Sequence, residues 1–220
     1  MKKLVIFGSK DMAELAHFYF SNDSEFEPVA FTLDREYVDV ATCCGLPVVP
    51  FDEIQYRYPP DEFALFVALS YSNLNEVRKA KYLKAKSMGY LVPSYVSSKA
   101  TMLSEGKVGE NCFILENNTV QPFVEIGNNV TLWSGNHVGH HSKVSDHTFI
   151  ASHVVISGGV QIGEQCFIGV NATLRDHITI GDKSVIGAGV LLLEDADAES
   201  VYIGQRTRKA NRKSGDLKKI

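Results

Sequence analysis

The sequence predicts two folds in series: a small parallel α/β sheet over residues 1–93 and a parallel β-helix over residues 108–204. Two observations carry this. Residues 1–93 alternate short apolar runs with amphipathic stretches. From residue 108 to 192, every sixth residue is aliphatic, fifteen times without an insertion: Val108, Ile114, Val120, Ile126, Leu132, Val138, Val144, Ile150, Ile156, Ile162, Ile168, Leu174, Ile180, Ile186 and Leu192. A period of six fits neither an amphipathic helix nor a two-residue strand alternation. It fits short strands wound round a prism, one position in six pointing inward.

Taken in order, Lys3 to Phe7 is an apolar strand ending at Gly8, and Asp11 to Phe20 a helix with Met12, Leu15, Ala16 and Tyr19 on one side. Pro28 to Leu33 is a second strand, closed by Asp34. Phe63 to Leu69 is a continuous apolar run, as expected of a strand covered on both faces. A Lys-rich helix from Leu74 to Met88 ends at Gly89, and Tyr90 to Val92 is a last short strand. Such β/α alternation predicts a parallel sheet of Rossmann type. Residues 94–107 read as a linker.

Within the hexads, the position four residues after each aliphatic is mostly small (Cys112, Val124, Ser142, Val160, Cys166, Ala172), and the position immediately after each aliphatic is often Gly. The position three residues after it is Asn, Gly or His in eleven of fourteen cases, types that tolerate the positive φ of a tight corner. Three hexads per coil would stack residues eighteen apart, giving four to five coils and a prism roughly 20–25 Å tall. Asn118 and Asn136, eighteen apart and inward, are expected to stack as an amide ladder. Past Leu192 come an acidic loop, one more short strand over Val201 to Gly204, and a basic tail, 205–220.

The 220 residues have a formal net charge of −4. From Arg206 to Ile220, seven Lys/Arg and one Asp give +6, leaving the body acidic, which is not a nucleic-acid footprint. No apolar run is long enough to span a membrane, and Met1 to Leu4 lead into a strand rather than a signal peptide. The four cysteines follow no ligand or disulfide spacing, and a cytoplasmic protein with reduced thiols is expected.

Two places have the residue types for chemistry. The turn Gly8-Ser9-Lys10-Asp11-Met12-Ala13 follows the first strand, with one Gly where a dinucleotide fingerprint wants three. With Asp34 and the Ser70-Tyr71 loop it forms either a nucleotide pocket at the carboxyl edge of the sheet or a set of ordinary polar loop residues. Six of seven histidines lie in the repeat. His141, His147, His153 and His177 occupy corners, where backbone geometry accounts for them. His140 sits one residue before a corner, beneath Gly158-Gly159 eighteen residues on. An imidazole beside bare backbone N–H groups suits acyl transfer: one takes a proton, the other binds the oxyanion. The alternative is a solvated His pair at a glycine corner.

The hexads resemble those of the left-handed β-helix acyltransferases. More narrowly, the chain is similar to bacterial sugar N-acetyltransferases that join a Rossmann-like domain to such a helix and acetylate nucleotide-linked amino sugars for surface glycans; sialic acid O-acetyltransferases are relatives. The segment Ser134-Gly135-Asn136-His137-Val138-Gly139-His140-His141 resembles that family's active-site block. The resemblance implies the left hand of the helix, acetyl-CoA as co-substrate, no metal, and homotrimers with sites between subunits. It puts the catalytic base on His140, with His141 where an acidic residue is common, and the thioester contact on Gly158. It carries nucleotide recognition onto Gly8 to Ala13 and Asp34. Gly159, Arg206 and Arg208 complete the expected CoA-binding set, with Lys209 beside them. Competing readings are O-acetylation of a sugar such as sialic acid, a zinc carbonic anhydrase, and a non-enzymatic β-helix scaffold. No two histidines lie five apart, so the zinc family's spacing is absent.

Overall fold

The computed structural model describes residues 2–104, 108–211 and 213–216. The N-terminal part is a five-stranded sheet in the order β3-β4-β2-β1-β5. Its strands are β1 (Lys2–Phe7), β2 (Phe26–Leu33), β3 (Thr42–Cys43), β4 (Leu46–Pro50) and β5 (Phe63–Val67), with β3 antiparallel at the edge and the rest parallel. Helix α1 (Asp11–Asn22) buries Ala13, Ala16 and Phe20. Helix α2 (Ile54–Arg57) is a single turn, and α3 (Glu76–Ser87) buries Arg78, Tyr82 and Ala85. The sequence reading missed β3 and β4, because Pro47 and Pro50 demote that run. Both prolines are tolerated near the edge: Pro47 pairs with Thr42 and Pro50 with Leu33. The expected strand at Tyr90–Val92 reduces to one bridge, Leu91 to Ala64.

The hexads form a prism of three parallel sheets of four, seven and six strands. Up to Leu192 partners are eighteen residues apart, as in Thr131 with Phe149, Glu125 with Lys143 and His137 with Val155, so three hexads make one coil. The inward aliphatics build one continuous core from Ile114 to Leu192. All fourteen corner residues have positive φ, including Phe123, Gln165 and Lys183, so the corner conformation holds whatever residue fills it. Asn118 and Asn136 are buried and stacked: Asn118 Oδ1 accepts the backbone N–H of Asn136 at 3.2 Å, while their side-chain NH2 groups donate to backbone carbonyls (Leu115 and Trp133; Trp133).

Residues 94–104, expected as part of the 94–107 linker, belong to the prism. β6 (Tyr95–Val96) pairs with Phe113–Ile114, and β7 (Thr101–Met102) with Thr119–Val120, in the same eighteen-residue register. Val96 and Met102 continue the hexad phase backward from Val108 and pack on the prism core. Their corners lack the Asn/Gly/His signature, which hid the coil; positions 105–107 lie outside the described residues. At the other end the last coil is two residues short. Ala196 pairs with Ile180 and Val201 with Val185, both sixteen apart.

Sheet and prism share one interior. Tyr95, Phe113 and Leu115 of the prism lie in the same buried cluster as Leu4, Phe20, Phe31 and Phe66. Three successive residues at positive φ, Asn73, Leu74 and Asn75, turn the chain into α3. That turn buries Asn75 and Arg78 against the prism corners. Arg78, 1 % exposed, donates to the carbonyl oxygens of Asn129 and His147 and to Asn75 Oδ1. Burial pulls its pKa down to about 10, so the guanidinium stays charged at neutral pH, held by carbonyl dipoles. No helix among the described residues is long and apolar enough to cross a membrane.

Candidate active site

The N-terminal part and the prism line an open cavity of about 790 Å³ at the carboxyl edge of β1, β2 and β5. Gly8, Ser9, Asp34, Ser70 and Tyr71, named from sequence alone, all line it. Gly8 is required there: at φ +131°, a Cβ would lie 2.7 Å from Ala68 O and 3.1 Å from Ala13 Cβ. The close approach it permits brings the N-terminus of α1 to the cavity through Lys10, Asp11 and Met12. In the first turn the N–H groups of Ala13 and Glu14 donate to the Lys10 carbonyl, while those of Asp11 and Met12 donate to no described residue, and both residues line the cavity. The Asp34 carboxylate is not alone. Lys81 Nζ donates to Asp34 Oδ1 at 2.6 Å, and the same ammonium lies over the rings of Phe7 and Phe51.

Part of the cavity wall was not foreseen. Trp133 and Phe149 reach it from the outer face of the seven-stranded sheet. Phe149 and Phe167 stack at 5.8 Å with an interplanar angle of 15°, and Tyr71 packs on both, at 4.9 and 4.8 Å. The signal was in the hexads: Phe113, Phe149 and Phe167 share one outward position on one sheet, an aromatic stripe that water would not be left to cover.

His140 lies elsewhere on the prism. It follows the strand His137–Val138 of the six-stranded sheet, at the corner before the four-stranded sheet. That corner is opposite the seven-stranded face on which the cavity sits. One chain therefore does not bring the cavity and the His pair together.

Around His140 the geometry is specific. Its backbone N–H donates to Gln121 Oε1 at 2.9 Å. Its Nδ1 is 3.0 Å from His141 Nδ1, so one ring donates and the other accepts. The rings meet edge-on, with centroids 5.2 Å apart and planes at 86°. Above, the His140 ring fills the space a side chain at position 158 would take: a Cβ on Gly158 would fall 2.7 Å from both Cε1 and Nε2. The Gly158 N–H donates to no described residue, whereas Gly159 N–H donates to the His140 carbonyl at 2.8 Å. The expected pair of bare amides is thus one, and Gly159 serves to tie the coils together.

The corner histidines divide as their positions suggest. His141, His147, His153 and His177 all have positive φ. His147 is buried with Nδ1 3.0 Å from Asn129 Nδ2, and burial depresses its pKa to about 4. Arg206 and Arg208 lie in exposed chain after the last strand, and no hydrogen bond or ion pair ties them to His140 or Gly158 among the described residues. Cys112 and Cys166 are buried in the prism, and burial raises both thiols to about 11. Among the described residues no three His, Cys, Asp or Glu side chains are grouped to hold a metal.

Two repeat models match the prism: bacterial transferase hexapeptide (six repeats) over residues 106–140, and hexapeptide repeat of succinyl-transferase over 159–194. No protein of curated function matches the chain by sequence. Solved structures similar to it over nearly its whole length share its two-part fold. A variant of perosamine N-acetyltransferase from Caulobacter crescentus, in complex with CoA and GDP-perosamine, has a TM-score of 0.80 at 22% identity, covering 92% of this chain and 93% of that one. The acetyltransferase domain of PglB from Neisseria gonorrhoeae FA1090, with acetyl coenzyme A, has a TM-score of 0.78 at 21% identity, covering 92% and 96%. WeeI from Acinetobacter baumannii AYE has a TM-score of 0.76 at 19% identity, covering 91% and 96%.

Proposed function

We propose that the chain transfers an acetyl group from acetyl-CoA to the amino group of a nucleotide-linked amino sugar. The observation that carries this is the His140 imidazole laid against Gly158, with its Nδ1 engaged by His141. With His140 as Nδ1 donor and His141 as acceptor, His140 Nε2 keeps a lone pair. That nitrogen takes the amine proton as the amine attacks the thioester carbonyl. The free Gly158 N–H donates to the developing oxyanion; collapse then expels the CoA thiolate. His141 stands in for a carboxylate, fixing the tautomer without adding a negative charge. Gly159, Arg206 and Arg208 remain the candidates for CoA contacts.

The cavity is the acceptor site in this reading. The unpaired N–H groups at the start of α1 suit a pyrophosphate, and Asp34 with Lys81 suits a nucleoside edge. Because the cavity and His140 lie on opposite sides of the prism, the site is completed by His140 of a neighbouring copy, and the assembly is a homotrimer. The similar C. crescentus enzyme binds CoA and GDP-perosamine, which supports this substrate class. The work is cytoplasmic, where acetyl-CoA and nucleotide sugars are made, and its product is destined for a surface glycan.

The test is a thiol-release assay with acetyl-CoA over nucleotide-amino sugars, free amino sugars and sugar hydroxyls. Turnover confined to hydroxyl acceptors would replace this reading with O-acetylation. His140→Asn should lower kcat a hundredfold or more, in line with loss of a general base at about 10²–10⁴. Mixing inactive His140→Asn chains with inactive cavity variants should restore activity in mixed trimers; no restoration would sink the shared site.

A further inference from the structure

We propose that Phe123 is a positioning residue for His140, acting through His141. The proposal rests on the reading of His140 as the base. Of fourteen corners, three are not Asn, Gly or His: Phe123, Gln165 and Lys183. Gln165 is explained by its bonds across to α3, accepting from Lys79 and donating to Glu76. Lys183 is a solvated charge. Phe123 has neither excuse. It holds φ at +66°, a conformation a bulky aromatic adopts only under strain, and its side chain is 66% exposed. Neither backbone geometry nor burial within its own chain accounts for it.

What Phe123 touches does account for it. Its ring packs on the His141 ring, one coil further on, with centroids 4.7 Å apart and planes tilted by 39°. Its two predecessors hold the rest of the pair: Gln121 Oε1 accepts the His140 N–H, and the Pro122 carbonyl accepts the His141 N–H at 3.3 Å. Three consecutive residues thus fix the His140 backbone, the His141 backbone and the His141 ring. An exposed imidazole turns freely about its side-chain bonds. Packed against Phe123, His141 is held with Nδ1 toward His140 Nδ1, and that contact selects which nitrogen of His140 carries its proton.

The full-length chain tests this with Phe123→Asn and Phe123→Tyr. Asn suits a left-handed corner, so the first variant should keep or raise the melting temperature. It should lower kcat about tenfold through loss of alignment and leave both KM values unchanged. Side-chain nitrogen NMR should show His140 and His141 moving from fixed to averaged tautomers. Phe123→Tyr should restore rate and spectrum, and Phe123→Asn should add nothing to His141→Asn. Unchanged imidazole spectra, or a raised acetyl-CoA KM without a spectral change, would overturn the proposal in favour of a bystander or a direct co-substrate contact. If no acetyl transfer is found even in the parent protein, the catalytic reading fails, while the spectra still decide the positioning role.

Discussion

Replacing Gly158 by alanine is the sharpest probe of the His140 notch. The backbone at 158 is not in the left-handed region, so alanine brings no φ penalty. The added methyl would lie 2.7 Å from His140 Cε1 and Nε2, about 0.7 Å inside an ordinary 3.4 Å contact. Those atoms belong to the end of an exposed side chain, so the ring moves and the fold does not. Stability should change by no more than about 0.5 kcal/mol. Displacement of a reacting group by about 1 Å costs on the order of 10²-fold, so a shift of this size should lower kcat by about 10–100-fold, or ~1.4–2.7 kcal/mol of barrier. Steady-state kinetics and thermal melts on Gly158→Ala, His140→Asn and the double variant form the assay. If the methyl acts by moving the base, the double variant should be no slower than His140→Asn alone. Near-normal kcat in Gly158→Ala, or full additivity with His140→Asn, would refute the notch.

Asp34→Ala should raise acceptor KM about tenfold, ~1.4 kcal/mol, with kcat little changed, because it unpairs Lys81 in the cavity wall; an unchanged acceptor KM would remove the proposed pocket. Arg78→Met should cost about 3 kcal/mol or more in urea unfolding, since it orphans the carbonyls of Asn129 and His147 and Asn75 Oδ1; a loss under about 1 kcal/mol would refute it. His147 has a folded pKa depressed to about 4 from 6.5, so the unfolded chain binds a proton the folded one refuses between those values. Its contribution is intact above about pH 6.5 and is lost as pH falls, by about 2 kcal/mol at pH 5. His147→Asn keeps a corner-tolerant residue and should flatten that part of the stability profile; an unchanged slope would exclude His147 as its source.

The prism was legible in the sequence because one geometric demand repeats. An inward aliphatic every six residues and a corner tolerant of positive φ leave marks that survive any choice of surface residue. The corner rule also separated His140 from His141, which the structure supports by giving His141, not His140, the left-handed backbone. The first coil was misread because Val96 and Met102 obey the inward rule but their corners do not. Strand β4 was missed because prolines are tolerated where the sheet runs out of partners. What no periodicity encodes is contact between distant segments. The Asp34–Lys81 pair spans forty-seven residues and the Arg78–His147 bond sixty-nine. The aromatic stripe of Phe113, Phe149 and Phe167 announced that something must cover it, but not that Tyr71 would.

The placement of Tyr95 bears on how the molecule comes to exist. Its ring is in the interior of the N-terminal part, while its backbone is the first rung to which the next coil, at Phe113, is hydrogen-bonded. A coil of two-residue strands has little stability alone and gains it from a finished neighbour. The completed α/β part therefore offers a ready template. Successive coils should add to it one at a time, in the order in which synthesis delivers them, with each new strand meeting a partner only eighteen residues behind it. A long parallel β structure, ordinarily slow to assemble, is thereby reduced to a series of short closures started from one end.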